Sequence, residues 1–188
     1  MADRRRREGF AEKRERLGSV DEPSVVFDAA LRFLEPRQRS VGEVRRRLTR
    51  VGYREDLVTA AIERLTELGM LDDEAFARAW IESRDRARPR GARALMSELA
   101  RKGIDRQTAD ETLSEREADH PGADADAAQK LLNRNARSLA RVADPRGRRQ
   151  RAYALLARNG FDPEVAAATS RALETADGVA GDEGIDTN

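Results

Sequence analysis

Cysteine is absent from the 188 residues and histidine occurs once, so the sequence contains few groups for metal or thiol chemistry. The lack of Cys excludes disulfides, thiolate zinc sites and Cys nucleophiles, and a single His leaves few acid–base or metal-binding arrangements. Glycine-rich phosphate loops are also missing, because neither GxGxxG nor GxxxxGK[ST] occurs. The sequence therefore predicts a protein that is not an enzyme and that carries no cofactor and no metal.

Long apolar runs are missing as well. The mean hydropathy is -0.77, and no apolar stretch approaches the roughly 20 residues that a bilayer span requires. The first ten residues, MADRRRREGF, carry positive charge without the apolar segment of a secretory signal behind it. We expect a cytoplasmic protein that does not contact a membrane.

Charge, in contrast, is plentiful, with 36 Lys and Arg against 35 Asp and Glu. Only Lys13, Lys102 and Lys130 among the basic residues are lysines, so arginine supplies nearly all the positive charge. Residues 1–24 carry both signs and few large apolar groups, and residues 175–188 carry four acids and no base. Such segments cannot bury enough apolar surface to fold alone, so we predict a charged flexible N-terminal tail and an acidic flexible C-terminal tail.

Between these ends the apolar residues recur at helical spacing. One stripe places Val at 41 and 44, Leu at 48 and Val at 51, and no convincing period-2 strand is present. Ser40 and Glu43 form a capping-box pattern. Glycines stand where four helices are expected to end, at Gly52, Gly69, Gly103 and Gly160. The pattern predicts an all-α fold.

A six-residue pattern occurs three times, as LTRVGY at 48–53, LARKGI at 99–104 and LARNGF at 156–161. Each copy predicts a helix end with Gly in the left-handed conformation, followed by an apolar residue that packs back on the last turn. The copies lie 51 and 57 residues apart. This spacing indicates an internal triplication.

The triplication predicts three-helix repeats at residues 25–71, 72–117 and 118–174, the last including a linker around His120. The expected helices are 25–36, 41–51 and 55–68, then 73–86, 91–102 and 106–117, then 124–142, 147–159 and 163–174. Three short helices bury little apolar surface alone, so neighbouring repeats must share a core. We therefore expect an elongated array of three tandem three-helix repeats.

Several segments resemble the RecX family of bacterial regulators of the recombinase RecA. The resemblance rests on GMLDDEAFARAW at 69–80, on the three repeated segments, and on single residues between 30 and 103, and it spans roughly residues 25–174. Asn159 departs from it, because a basic residue is expected there. The resemblance implies three tandem three-helix repeats. It also implies a non-enzymatic regulator that binds the RecA filament along its groove. We expect this protein to be a monomer. Such a regulator dampens the ATPase, strand-exchange and co-protease activities of RecA in recombinational DNA repair and the SOS response.

Five other residues have two interpretations each. Asp72 and Asp73 could be paired catalytic carboxylates, but adjacent positions on a helix do not face each other, and acids at a helix start cap free amides. Phe76 and Trp80 lie one turn apart and could stack on bases, but core packing is the favoured interpretation. His120 lies in a polar linker without other ligands at metal-binding spacing, so we predict a surface residue.

Arginines cluster just before the second helix of each repeat, where their charge is unfavourable to the helix dipole, and more arginines follow within these helices. Stacked repeats would align them into a basic ladder suited to an acidic groove or a phosphate backbone, although a solvated face with Arg paired to nearby acids would look the same. The candidate partner-binding residues are Arg37, Arg39, Arg45, Arg46, Arg50, Arg88, Arg90, Arg93, Arg146, Arg148, Arg149 and Arg151.

Two functional classes remain beside the enzyme that the composition disfavours. One is a regulator that occupies a recombinase filament through many modest contacts. The other is a helix-turn-helix-like DNA-binding protein, suggested by Leu-x-x-x-Gly between helices. Charge spread over three repeats, with few Asn and Gln to read base edges, favours the filament or nonspecific binding to single- or double-stranded DNA.

Overall fold

The computed structural model describes residues 9–179, and within that range the chain forms α-helices and no β-strand. The predicted all-α fold is confirmed. No helix in this range combines the length and apolar character needed to cross a bilayer. The helices are α1 Phe10–Gly18, α2 Pro23–Leu34, α3 Val41–Val51, α4 Glu55–Glu67, α5 Asp73–Ala87, α6 Ala92–Lys102, α7 Arg106–Asp119, α8 Ala123–Arg134, α9 Ala136–Leu139, α10 Pro145–Arg158 and α11 Pro163–Val179.

Near both ends of the described range, the helices differ from the predicted ones. The predicted flexible N-terminal tail contained no helix, whereas residues 10–18 form α1, whose Leu17 is only 6% exposed. Phe10, Leu17 and Val20, the large apolar residues near this end of the chain, gave too weak a stripe to predict that packing. At the other end α11 continues past the expected position 174 to Val179. The rest of the two predicted tails, residues 1–8 and 180–188, lies outside the described range.

The helix predicted over 124–142 is interrupted. It ends at Arg134 as α8, and a single turn, α9, follows after Asn135. The Asn135 side-chain amide donates to the Leu131 carbonyl oxygen at 2.8 Å, which satisfies a free acceptor in the last turn of α8. Leu139 then turns inward and joins the core.

Contacts divide the chain into two compact units, one reaching Phe76 and including Arg101–Ile104, the other taking Ala77–Ala100 and the residues from Asp105 onward. In the first unit α2, α3 and α4 enclose a core of Val26, Ala30, Val44, Leu48, Val58, Ala61, Ile62, Leu65 and Leu71. In the second, a core under α8, α10 and α11 contains Ala127, Ala128, Leu132, Leu139, Ala152, Leu156, Phe161 and Ala166. The predicted boundaries of the three repeats stay a prediction.

A buried arginine links three helices of the second unit. Arg116 on α7 has a side chain 10% exposed and donates to both carboxylate oxygens of Asp85 on α5, at 2.8 and 2.9 Å. It also donates to Asp124 on α8 at 3.2 Å. Burial raises the pKa of Asp124 in spite of this ion pair. Removal of the guanidinium would leave two enclosed carboxylates without a counter-charge, so Arg116 has a structural role.

The four helix-ending glycines are confirmed. Gly52, Gly69, Gly103 and Gly160 all have positive φ, between 67° and 114°. The residue after the glycine donates its N–H back into the helix, as Tyr53 does to the Leu48 carbonyl oxygen at 3.3 Å and its counterpart Phe161 does to Leu156 at 3.3 Å. This is the predicted left-handed helix end with its returning apolar residue.

Candidate partner-binding surface

The start of α3 packs directly on the end of α6. A Cβ atom added to Gly42 would lie 2.8 Å from the Cα of Gly103 and 2.8 Å from the carbonyl oxygen of Lys102. Gly103 already requires glycine for its φ of 89°, and this contact adds a second requirement on both residues. Two backbones therefore meet here with no side chain between them.

Polar side chains surround this backbone contact. The Ser40 hydroxyl accepts the Glu43 N–H at 3.1 Å and donates to the Lys102 carbonyl oxygen at 2.6 Å. Arg46 donates to the same carbonyl oxygen at 2.8 Å. The predicted capping box is half confirmed, because Ser40 caps α3 while the Glu43 side chain turns away to the Lys102 ammonium, 2.8 Å distant.

Glu43 is the electrostatic centre of this cluster. Its side chain is 13% exposed and receives hydrogen bonds from Lys102 at 2.8 Å and from Arg37 at 3.1 Å. Burial by itself raises the pKa of Glu43, but the two cationic donors outweigh it and bring that pKa to about 2. The carboxylate is thus ionised at neutral pH and holds Arg37 and Lys102 in place.

The same arrangement occurs where α6 begins. Gly91 donates its N–H to the Asn159 carbonyl oxygen at 3.0 Å, and Arg93 donates its N–H to that of Gly160 at 3.2 Å. A Cβ atom on Gly91 would lie 2.3 Å from the backbone of Gly160 and Phe161. Gly42 and Gly91 have ordinary φ values, so sequence reasoning did not find their role; a glycine next to a predicted helix start was the available signal.

Asp72 and Asp73 are capping residues, as predicted. An Asp72 carboxylate oxygen accepts the Ala75 N–H at 2.9 Å at the start of α5. Asp73 instead accepts the N–H of Val41 at 2.9 Å and so caps the start of α3 from another helix. The two carboxylates serve different helix ends and form no catalytic pair.

Phe76 and Trp80 do not provide an open stacking platform. Phe76 is buried, as core packing predicts. The Trp80 indole N–H donates to Glu98 at 2.9 Å, and the Arg84 guanidinium lies over its ring, 4.4 Å from the centroid. His120 is an exposed surface residue whose Nε2 lies 2.7 Å from Asp126. Among residues 9–179, no three His, Asp or Glu side chains are grouped as a metal site would need.

The twelve candidate arginines fall into distinct groups, and the first consists of ion pairs with carboxylates. These are Arg37 with Glu43 at 3.1 Å, Arg45 with Glu55, Arg90 with Glu98 at 3.7 Å, and Arg93 with Asp162 at 2.9 Å. The interpretation of arginines paired with nearby acids therefore holds for this group.

A second group donates to backbone carbonyl oxygens. Arg39 and Arg148 make the same contact in different repeats, each from Nε to the carbonyl oxygen six residues earlier, at 3.3 and 3.1 Å. The Arg39 guanidinium also lies 4.2 Å from the centroid of the Phe33 ring. Arg46 donates to the end of α6 as described above. These three arginines hold the protein's own backbone, and Arg149 is half-buried on α10.

The third group is exposed and has no side-chain hydrogen bond or ion pair to any residue within 9–179. It contains Arg50 at the end of α3, Arg88 between α5 and α6, and Arg146 and Arg151 on α10. No ion pair or hydrogen bond to residues 9–179 must therefore be given up when one of these side chains contacts a partner molecule. We call this set the free arginines.

Two family models match the chain at its first two groups of three helices. The model for the first three-helix domain of RecX matches residues 27–65, and the model for the second three-helix domain of RecX matches residues 72–113. A protein of Mycobacterium avium (strain 104), named "Regulatory protein RecX", is 34% identical over 151 residues, which cover 79% of this chain and 86% of that one. The chain belongs to the RecX family.

Another relative and a solved structure agree with RecX membership. "Regulatory protein RecX" of Mycobacterium sp. (strain JLS) is 36% identical over 139 residues, covering 72% of this chain and 74% of the relative. The crystal structure of RecX from Lactobacillus salivarius covers 82% of this chain and 98% of its own, with a TM-score of 0.69 at 22% identity, so it shows a shared fold. Helix α10, with Arg146 and Arg151, lies beyond both segments matched by the RecX domain models.

Proposed function

We propose that this RecX-family protein regulates a RecA-type recombinase by binding its filament along the groove, without catalysing a reaction itself. Binding there inhibits the ATPase, strand-exchange and co-protease activities of the recombinase. Membership of the RecX family supports a RecA-type recombinase as the partner. The observation that carries the proposed contact is the set of free arginines, Arg50, Arg88, Arg146 and Arg151.

The charge of these residues fits that role. An arginine already paired with a carboxylate loses one ion pair when it forms another, so its net contribution to binding is small. A free arginine loses only hydration and side-chain freedom. Its contribution is about 0.2–1 kcal/mol per exposed contact, and four such contacts at separate places in the chain act together through avidity.

The test is inhibition of ATP hydrolysis by recombinase filaments assembled on single-stranded DNA. A variant with all four free arginines changed to Gln should require about tenfold more protein for half inhibition, by the sum of those contacts. Its inhibition should also depend less on salt, because charge-to-charge contacts are screened. Helicity and thermal stability should match the parent.

A control variant carries the same change in charge. It replaces Arg32, Arg64, Arg101 and Arg137, which are exposed and lie outside the twelve candidates, with Gln. Equal loss in both variants would attribute the effect to global charge. Unchanged inhibition in both would place the recombinase contact away from the free arginines.

Helix-turn-helix DNA reading is the alternative, and the described contacts support it less. A recognition helix needs side chains free to reach base edges. On α3, Arg45 is paired with Glu55 and Arg46 is held by carbonyl oxygens at the end of α6. Sequence-specific retention of naked duplex DNA at physiological salt would favour this alternative over filament binding.

A further inference from the structure

Helix α3 holds the end of α6 with two residues that lie one turn apart. Gly42 admits the backbone of the other helix, because a Cβ atom at this position would lie 2.8 Å from the Gly103 Cα. Arg46 donates from Nη2 to the carbonyl oxygens of Arg101 at 3.1 Å and Lys102 at 2.8 Å. Carbonyl oxygens of a last helical turn lack partners within their own helix. A glycine and an arginine four positions later thus bind a helix end, and we call this arrangement the glycine–arginine pair.

Helix α10 carries the same pair at the same spacing. Gly42 is the second residue of α3, and Gly147, the third residue of α10, is followed four positions later by Arg151. At about 100° per residue, Gly42 lies about 160° around α3 from the buried Val44. By the same rotation, Gly147 lies about 140° around α10 from the buried Ala152. Both glycines therefore lie on the side of the helix that faces away from the core beneath it.

Within residues 9–179, no backbone of another helix approaches Gly147 as the end of α6 approaches Gly42. The three atoms nearest to a Cβ atom added at Gly147 are side-chain atoms of Asp144 and Val142, at 3.0, 3.4 and 3.8 Å. At Gly42 the two nearest are backbone atoms at 2.8 Å. Arg151 is exposed and belongs to the free arginines, whereas its counterpart on α3 binds two carbonyl oxygens. The pair on α10 is thus open to a partner molecule.

Nothing in the fold of the described residues requires glycine at position 147. The φ of Gly147 is not positive, so any residue adopts this backbone conformation. Glycine inside a helix is less favourable than alanine. An added methyl group needs a shift of only a few tenths of an ångström in the Asp144 side chain, which caps α10 by accepting the Gly147 N–H at 2.7 Å. Close approach of another backbone, as at Gly42, explains a glycine at this place.

The arginines around Gly147 indicate what kind of group approaches it. A helix ends in free carbonyl oxygens that carry the negative end of the helix dipole. Arg151 lies one turn after Gly147 and Arg146 lies directly before it, so two free arginines flank the glycine. A carboxylate or phosphate group would suit the arginines but would not require the glycine. The end of a helix suits both.

We propose that α10 binds the recombinase at the end of a helix, with the backbone of that helix against Gly147 and with Arg151 donating to its last carbonyl oxygens. This inference rests on the proposed regulation of the recombinase, and it specifies the chemical group that one of the contacts recognises. At the equivalent contact within this chain, a Cβ atom on Gly103 would lie 2.8 Å from the Gly42 Cα. The helix of the recombinase therefore ends in a glycine as well.

The test measures binding and ATPase inhibition with the full chain and recombinase filaments assembled on single-stranded DNA. Gly147→Ala changes no charge, but its methyl group keeps the two backbones apart. It should therefore raise the concentration for half inhibition about tenfold or more. Circular dichroism and urea denaturation should show a fold like that of the parent, since the added methyl group meets only side-chain atoms of Asp144 and Val142.

A second variant tests the carbonyl contact without changing the net charge. Arg151→Lys keeps the positive charge but loses the several N–H donors of the guanidinium, so it should weaken inhibition about threefold or more. Inhibition equal to that of the parent would overturn the contact with carbonyl oxygens. Gly9→Ala is the matched control, because its methyl group likewise meets only side-chain atoms, those of Glu12 at 3.6 and 3.9 Å. Its half-inhibition concentration should stay within about twofold of the parent.

The outcomes separate this inference from the proposed function. Unchanged inhibition by Gly147→Ala, together with a loss in the variant of the four free arginines, would overturn the helix-end contact and leave the regulation in place. Filaments that the parent neither binds nor inhibits would overturn both. Self-association of the parent that Gly147→Ala abolishes would also overturn the recombinase contact. It would assign α10 to a second copy, whose Gly69 follows α4 with no described atom within 4 Å of an added Cβ.

Discussion

Helices α6 and α10 occupy the same place in successive repeats, yet their first turns differ. Helix α6 begins at Ala92, directly after Gly91, whose N–H binds the Asn159 carbonyl oxygen. Helix α10 begins at Pro145, and the residue aligned with Gly91 is Arg148, already inside the helix. The extra turn at the start of α10 carries arginine where α6 has a glycine in contact with another backbone.

Aligned positions in two repeats therefore have different roles. At α6, close approach of a backbone dictates residue size, and no side chain larger than hydrogen fits. At α10 an added Cβ on Gly147 meets only side-chain atoms of Asp144 and Val142, so packing sets no such limit. Arg146, in this first turn, is one of the free arginines.

The largest loss of stability is expected when a side chain is added at Gly91, at the start of α6. Gly91→Ala places a methyl group 2.3 Å from the backbone of Gly160 and Phe161, so the two segments must separate. Overpacking and loss of the two backbone hydrogen bonds should lower the free energy of unfolding by about 3 kcal/mol or more. Urea denaturation followed by circular dichroism measures this change.

Gly147→Ala at the start of α10 is the matched control. Its new methyl group would lie 3.0 Å from the Asp144 carboxylate oxygen that caps α10 by accepting the Gly147 N–H. A shift of a few tenths of an ångström weakens that cap in part, while alanine favours the helix. Stability within about 1 kcal/mol of the parent is expected. If Gly147→Ala were as damaging as Gly91→Ala, the contrast between the two helix starts would be wrong.

A smaller effect on stability is expected at the start of α3. Unlike α6 and α10, α3 has in its first turn a buried carboxylate, Glu43, whose pKa is lowered to about 2. The unfolded pKa is near 4.5, so the carboxylate stabilises the fold above pH 4.5, and that stability is lost as the pH falls toward 2. The full loss should amount to about 3 kcal/mol, of which about 2 kcal/mol falls between pH 5.5 and pH 3. Denaturation midpoints measured at pH 5.5 and pH 3 report most of it.

The matched variant is Glu43→Gln, which has no carboxyl group to titrate. It should be less stable than the parent at pH 5.5 and should lose less stability between pH 5.5 and pH 3. An identical pH dependence in parent and variant would show that other carboxylates dominate acid unfolding. At the start of α6 the Ala92 N–H donates to Asp124 at 3.5 Å, but burial raises the pKa of that carboxyl, so its titration does not produce the loss expected for Glu43.

The smallest effect on stability is expected at α10. Arg146→Gln and Arg151→Gln remove side chains without intramolecular partners in the described range, so the free energy of unfolding should change by less than about 0.5 kcal/mol. Denaturation of the double variant measures it. A loss above 1 kcal/mol would mean that these arginines support the fold and are not held for a partner.

Local signals account for what the sequence predicted well. A glycine before an apolar residue at a helix end identified Gly52, Gly103 and Gly160, because positive φ is a property of the residue itself. The role of Gly91 depends on the backbone of Gly160, 69 residues later, and a glycine next to a predicted helix start does not by itself show which segment it contacts. Likewise, Asp73 was predicted to cap, but its acceptance of the Val41 N–H requires the tertiary fold.

The same limit applies to the basic residues. Composition and spacing placed twelve arginines on or near the second helices, but they did not separate Arg93, which pairs with Asp162, from Arg88, which is free.

The end of α3, at Gly52, is covered by α1, whereas the corresponding helix ends at Gly103 and Gly160 are each covered by the second helix of the preceding repeat. A Cβ atom on Gly52 would lie 2.7 Å from the backbone of Arg14, so α1 lies against Gly52 as α3 does against Gly103 and α6 against Gly160. Duplication of a repeat ahead of Pro23 would therefore have to displace α1 and supply its own glycine or alanine to meet Gly52. Descendants of this gene are thus expected to gain repeats elsewhere in the series, or to lose α1 in the same event.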